Sequence, residues 1–153
     1  MPSDPARLYQ RVLLGYVQSG VAPHYVEIAR ALGWPTDQAR SVLHQVAEMG
    51  LAMWLHPGTD LIASCAPFSS LPTLYRISID GVPHGYAQCG LEVLAVSWLF
   101  PGHEVKIDSL CPDCSEPISL AMRDGELLSM SPPSVVAHTN VPFSKWRGQL
   151  PLA

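Results

Sequence analysis

Apolar residues recur at helical spacing three times in the first fifty positions. Tyr9, Val12, Leu13, Tyr16 and Val17 share one face of a first helix. Tyr25, Ile28, Ala29 and Leu32 share a face of a second, and Ala39, Val42, Leu43, Val46 and Ala47 of a third. Gly20, Gly33 and Gly50 stand where each pattern stops, as suits residues that turn left-handed at a helix C-terminus. Pro35 fits the first turn of the third helix, where its missing N–H has no helical partner. From residue 51 the spacing changes. Two short apolar strands flank the turn cluster His56-Pro57-Gly58-Thr59-Asp60. Three helices and a hairpin predict a winged-helix-like three-helix module over residues 1–64.

Residues 65–153 have another texture. Leu74–Ile79 reads as a strand, and Asp80-Gly81 is a hairpin dipeptide. The run YAQCGLEVLAVSWLF, residues 86–100, is expected to be one buried helix. After Pro101-Gly102, the stretches EVKIDSL, PISLAM, ELLSM and SVVAHTNV read as strands, with a second Asp-Gly turn at Asp124-Gly125. Several strands around one buried helix imply a small mixed or antiparallel sheet core. The expected fold class is therefore α+β.

Composition narrows the function. Of 153 residues, 48 % are hydrophobic and only 14 % charged, so the chain can build a packed core and is not a disordered segment. The net charge of −4 argues against a phosphate-backbone binder. Within residues 1–64 four arginines, no lysine and five acids leave the third helix only Gln38, Arg40 and His44 to meet nucleic acid. That count favours a packing or interaction module over a DNA reader. The start MPSDPARLYQ lacks the basic and apolar character of a leader, and no apolar run reaches the roughly 20 residues a bilayer requires. A cytoplasmic protein without membrane contact is expected, its four cysteines serving as core thiols, metal ligands or nucleophiles rather than as a disulfide framework.

The candidate chemistry is sulfur with carboxyl. Cys89 precedes Glu92 by three residues inside the apolar run, a spacing that sets both on one helical face. Cys111-Pro112-Asp113-Cys114 is a chelating Cys-x-x-Cys unit, though one such pair is half of a four-ligand zinc site. Cys89 with His103 or His138 completes such a site only if the fold brings them near. A redox role for the pair is disfavoured, because strand-like residues follow it rather than a helix. Cys65 lies in a connector and reads as structural. Trp98 and Phe100 read as core, and Trp146 as a seal on the core or on a dimer contact. The chain has no phosphate loop, nucleophile elbow or dinucleotide fingerprint.

Taken in order, PFS and PT (67–73), YAQCGLEVL (86–94), a strand, CPDCSEPISL (111–120) and PPSVVAH (132–138) resemble the alkylmercury lyase family. Residues ALGWPTDQAR, ahead of them, are similar to a segment of that family's winged-helix-like N-terminal module. The resemblance covers residues 20–140 or so and rests on consistent order more than on any one motif. It implies protonolysis of a carbon–mercury bond: thiolates capture the soft metal and a neighbouring carboxylic acid protonates the departing carbon. Carried onto this chain, Cys89 is the metal-capturing thiolate and Glu92 the proton donor, with Cys111 or Cys114 as a second soft ligand.

Three departures accompany the resemblance. Glu92 stands where the family usually has Asp. The late catalytic cysteine of the family has no counterpart, since no cysteine follows Cys114. The chain also stops early against the family pattern, which leaves a homodimer partner as one way to cover the site. Two other readings follow from these departures. One is a non-catalytic metal- or ligand-binding or sensor domain holding Zn²⁺ or another thiophilic ion with Cys89, Cys111 and Cys114. The other is a family member turned to a biosynthetic small molecule. No cofactor is assured by the sequence, with Hg(II) as substrate or product, or zinc, the ions the thiols would take.

Overall fold

The computed structural model describes residues 3–50 and 53–137. The chain divides into two compact units, Met1–Ala66 and Pro67–Ala153. The whole is α+β.

In the first unit, α1 (Asp4–Ser19), α2 (Tyr25–Leu32) and α3 (Thr36–Glu48) precede a hairpin of β1 (Met53–Leu55) and β2 (Ile62–Cys65). The helices end where the sequence says they should: Gly20, Gly33 and Gly50 have φ of 74°, 68° and 67°. Pro35 is the residue just before α3 rather than inside its first turn. His24 caps α2 through a capping box with Glu27. Leu8, Val12, Tyr16, Ile28, Leu43 and Val46 are fully buried and form the core of this unit. Gly15 allows a close approach, because a Cβ there would lie 2.5 Å from Pro23 Cδ. Gln38 donates to Asp4, while Arg40 and His44 both hold Asp60 at the hairpin turn. Each of the three residues considered for nucleic-acid contact thus already faces a carboxylate of its own unit.

The second unit is an antiparallel sheet with strand order β3-β5-β4-β6-β7-β8. Its strands are β3 (Phe68–Ser69), β4 (Arg76–Ile79), β5 (Val82–Ala87), β6 (Val105–Leu110), β7 (Pro117–Arg123) and β8 (Glu126–Ser131). Two Asp-Gly dipeptides make two-residue turns. Asp80-Gly81 joins Ile79 to its partner Val82, with φ of 48° and 80°. Asp124-Gly125 joins Arg123 to Glu126, with φ of 51° and 85°. Positive φ at both positions is the geometry whose twist matches the strands it connects. Across the sheet, Ile77 pairs with Ile107 and Ile107 with Leu120, while Ile79, Val105 and Met122 form the next row. A 3₁₀ helix, Glu92–Leu99, packs on β6 and β7 and buries Val93, Val96 and Ser97.

Several expectations need correction. Residues 86–91 are not helical: Tyr86 and Ala87 end β5, a strand absent from the sequence reading. The tight Asp80-Gly81 turn sends the chain straight back along β4, so strand pairing claims Val82–Ala87 and leaves only Glu92–Leu99 to coil. That coil is 3₁₀ rather than α. Trp98 is 67 % exposed rather than core, its indole lying against Gly125 of the β7–β8 turn. Ser134–Ala137 form no strand, and the rest of that expected strand lies outside the described residues, as does Trp146.

Candidate functional site

Cys89 sits at the junction of β5 and the 3₁₀ helix. The strand side is pinned by three hydrogen bonds. Ala87 N–H donates to Tyr75 O (2.9 Å), Thr73 Oγ1 donates to Ala87 O (2.7 Å), and Gln88 N–H donates to Pro67 O (2.8 Å). On the helix side, Cys89 O accepts from Val93 N–H at 3.0 Å and Cys89 Sγ accepts from Glu92 N–H at 3.3 Å. The cysteine therefore starts the helix with both its carbonyl and its sulfur, much as a side-chain oxygen would at a helix N-terminus.

This junction brings Cys89 and Glu92 together. The Glu92 N–H on the Cys89 sulfur fixes the contact, and both residues are half-buried. Burial pushes the Cys89 thiol up from its ordinary value, the N–H of Glu92 pulls it back, and the Glu92 carboxylate adds to the rise. Burial likewise raises the Glu92 carboxyl above the usual carboxylate range, partly offset by the hydrogen bond from Cys89. A thiol and a carboxyl whose charged forms are both disfavoured by burial are suited to passing one proton between sulfur and oxygen.

Two neighbours of the pair were not singled out by sequence. Gly90 is held against the Tyr75 ring: a Cβ on Gly90 would lie 2.8 Å from Tyr75 Oη. Gln88 Oε1 is buried and has no hydrogen-bond partner among the described residues. Neither signal is local in sequence, since Tyr75 reaches Gly90 across the β4–β5 hairpin.

Cys111 and Cys114 meet in the loop between β6 and β7. The backbone amides of Cys114 and Asp113 and the Cys114 thiol lower the Cys111 thiol from its ordinary value. None of the four cysteines is in a disulfide, and Cys65 is buried in the first unit. Among the described residues no group of three or more His, Cys, Asp or Glu side chains is placed to hold a metal ion. The three-thiol set expected for Cys89, Cys111 and Cys114 is thus not assembled; the thiols fall into two separate sites. His103 does not complete either one, because its ring nitrogen is 2.6 Å from Asp80. His138 lies outside the described residues. A cleft of about 340 Å³ opens in the first unit beside Arg40, His44 and Asp60. Among the described residues no helix is long and apolar enough to cross a membrane.

Comparison with known proteins points one way. The family model described as alkylmercury lyase matches residues 68–149. Alkylmercury lyases of Bacillus cereus and Clostridium butyricum are each 28 % identical over 137 residues, which is 86 % of this chain and 57 % of theirs. The chain thus spans little more than half the length of these relatives. A crystal structure of the mercury-bound form of MerB2 shares the fold, with a TM-score of 0.64 at 21 % identity over 88 % of this chain and 63 % of that one.

Proposed function

This chain belongs to the alkylmercury lyase family, and from that membership we propose that it cleaves carbon–mercury bonds by protonolysis, with Cys89 capturing the metal and Glu92 carrying the proton. The observation that carries this reading is that the two half-buried residues meet at the strand-to-helix junction, where the Glu92 N–H donates to Cys89 Sγ. In the resting pair one proton sits between sulfur and carboxylate. An organomercurial R–Hg–X binds as its mercury forms a bond to Cys89 Sγ. The thiol proton moves to Glu92 and X⁻ leaves. Glu92 then protonates the carbon, the C–Hg bond breaks, and R–H departs. The mercury stays on Cys89 as Hg(II), its second ligand position taken by a thiolate from solution, whose proton has gone to the buffer. Thiolate affinity for soft metals drives the first step, and a carboxyl whose charged form is disfavoured by burial drives the second.

Residues 1–64 act in this reading as a winged-helix-like packing module. Its helix–helix–helix–hairpin order and the carboxylate partners of Gln38, Arg40 and His44 support that role over nucleic-acid binding. The small-molecule partner is the organomercurial itself, and Hg(II) is product rather than cofactor.

The test is release of benzene from phenylmercury by the purified full chain in excess thiol. Wild type should release it, and Cys89→Ser and Glu92→Gln should each abolish release while remaining folded. Undiminished release by either variant would remove that residue from the mechanism.

A further inference from the structure

The second thiol pair is built differently from the first. Leu110 and Pro117 pair across β6 and β7, closing the intervening loop, and Cys111 N–H donates to Glu116 O at 2.9 Å inside that closure. Ser115 N–H donates to Cys111 O at 2.9 Å, and Ser115 turns the chain with a φ of 58°. The result is a tight turn that carries Cys111 and Cys114 together within one closed loop. Cys114 is exposed and Cys111 partly so.

We propose that Cys111 and Cys114 form a second ligand site, independent of the Cys89–Glu92 pair, that chelates a soft two-coordinate cation of the Hg(II) or Cu(I) type between its two sulfurs. The argument is one of donor number and softness. Zinc in a structural site wants four donors, and no third His, Cys, Asp or Glu joins this pair among the described residues. Soft d¹⁰ cations are satisfied by two thiolates. The loop has already fixed the two cysteines side by side, so binding orders little further chain. On binding Hg(II), two S–H bonds break, two Hg–S bonds form, two protons leave to solvent, and no electrons are transferred.

The inference stands apart from the lyase reading, so its test removes Cys89. Full-length Cys89→Ser, Cys89→Ser/Cys111→Ser and Cys89→Ser/Cys114→Ser are each loaded with one equivalent of Hg(II), then desalted in buffer containing excess 2-mercaptoethanol. A dithiol chelate resists a competing monothiol, whereas a lone cysteine gives the metal up. The single variant should retain one mercury per chain, and each double variant should hold it roughly 10²-fold more weakly or worse. Cys114 is exposed, so the variant lacking it keeps the fold; should Cys111→Ser unfold, the Cys114 arm decides alone. Equal retention in the double variants would overturn the proposal. So would loss of mercury from the single variant. Stoichiometric zinc held at the pair with four donors, or recovery of the pair as a disulfide that binds no cation under reducing conditions, would overturn it as well.

Discussion

Glu92→Gln separates a chemical role for the carboxyl from a structural one. The glutamine keeps the volume and the hydrogen-bonding outline of a half-buried side chain but has no acidic proton to give. If Glu92 is the proton donor, its loss removes general acid catalysis worth about 10²–10⁴-fold in rate, or about 3–5 kcal/mol of barrier. Stability should move the other way. Burial holds the Glu92 carboxyl above its ordinary value, so the fold binds the proton more tightly than the unfolded chain does. The Glu92 contribution is then most favourable below the ordinary glutamate value and weakens as pH rises through the raised value of the folded state. The glutamine variant lacks that slope and should melt no lower than wild type at neutral pH. Headspace detection of benzene from phenylmercury gives the rate, and thermal melting across pH 4 to 8 or so gives the stability. A variant within about threefold of the wild-type rate would refute the assignment. Loss of rate only in proportion to loss of folded protein would refute it equally.

Gly90→Ala places a Cβ 2.8 Å from Tyr75 Oη and 3.0 Å from its Cζ, so the ring must shift. It should cost about 1–3 kcal/mol in chemical denaturation and, by displacing Cys89 against Glu92, on the order of a hundredfold in benzene release. Gly15→Ala drives a Cβ into the rigid Pro23 ring and should cost about 1–3 kcal/mol by the same measurement, with the rate per folded molecule unchanged. Asp80 accepts from the His103 ring and from Glu104 N–H, and these bonds, the His103 one foremost, hold its carboxyl below the usual range. The stability it contributes is present above the ordinary aspartate value and lost as pH falls through the lowered one. Asp80→Asn, which tolerates the same turn, should lower the melting temperature at neutral pH and flatten its acid dependence.

Where local chemistry fixed the backbone, the sequence could be read directly. The two Asp-Gly turns and the three helix-ending glycines are cases in which a residue type is nearly tied to a positive φ. The YAQCGLEVL run shows the limit. Its apolar content identified burial but not period, and the choice between strand and helix was made by pairing with β3 and β4, which no local window contains. Cys89 and Glu92 do meet, yet through a strand-to-helix junction rather than one helical face. Trp98 shows the same gap from the other side. A large aromatic residue in an apolar run reads as core, but the 3₁₀ helix turns its indole outward over Gly125, a glycine whose missing side chain makes the space. The Cys-x-x-Cys pair was evident from spacing alone; the turn that holds it depends on how the β6–β7 loop closes.

Because the Cys89 sulfur also receives the first amide of the 3₁₀ helix, replacements at this position differ in what they ask. Alanine would remove the reagent and the helix start at once, and a dead variant would be uninterpretable. Serine leaves an oxygen to take that amide while discarding affinity for soft metals, so it alone interrogates the chemistry with the architecture held constant.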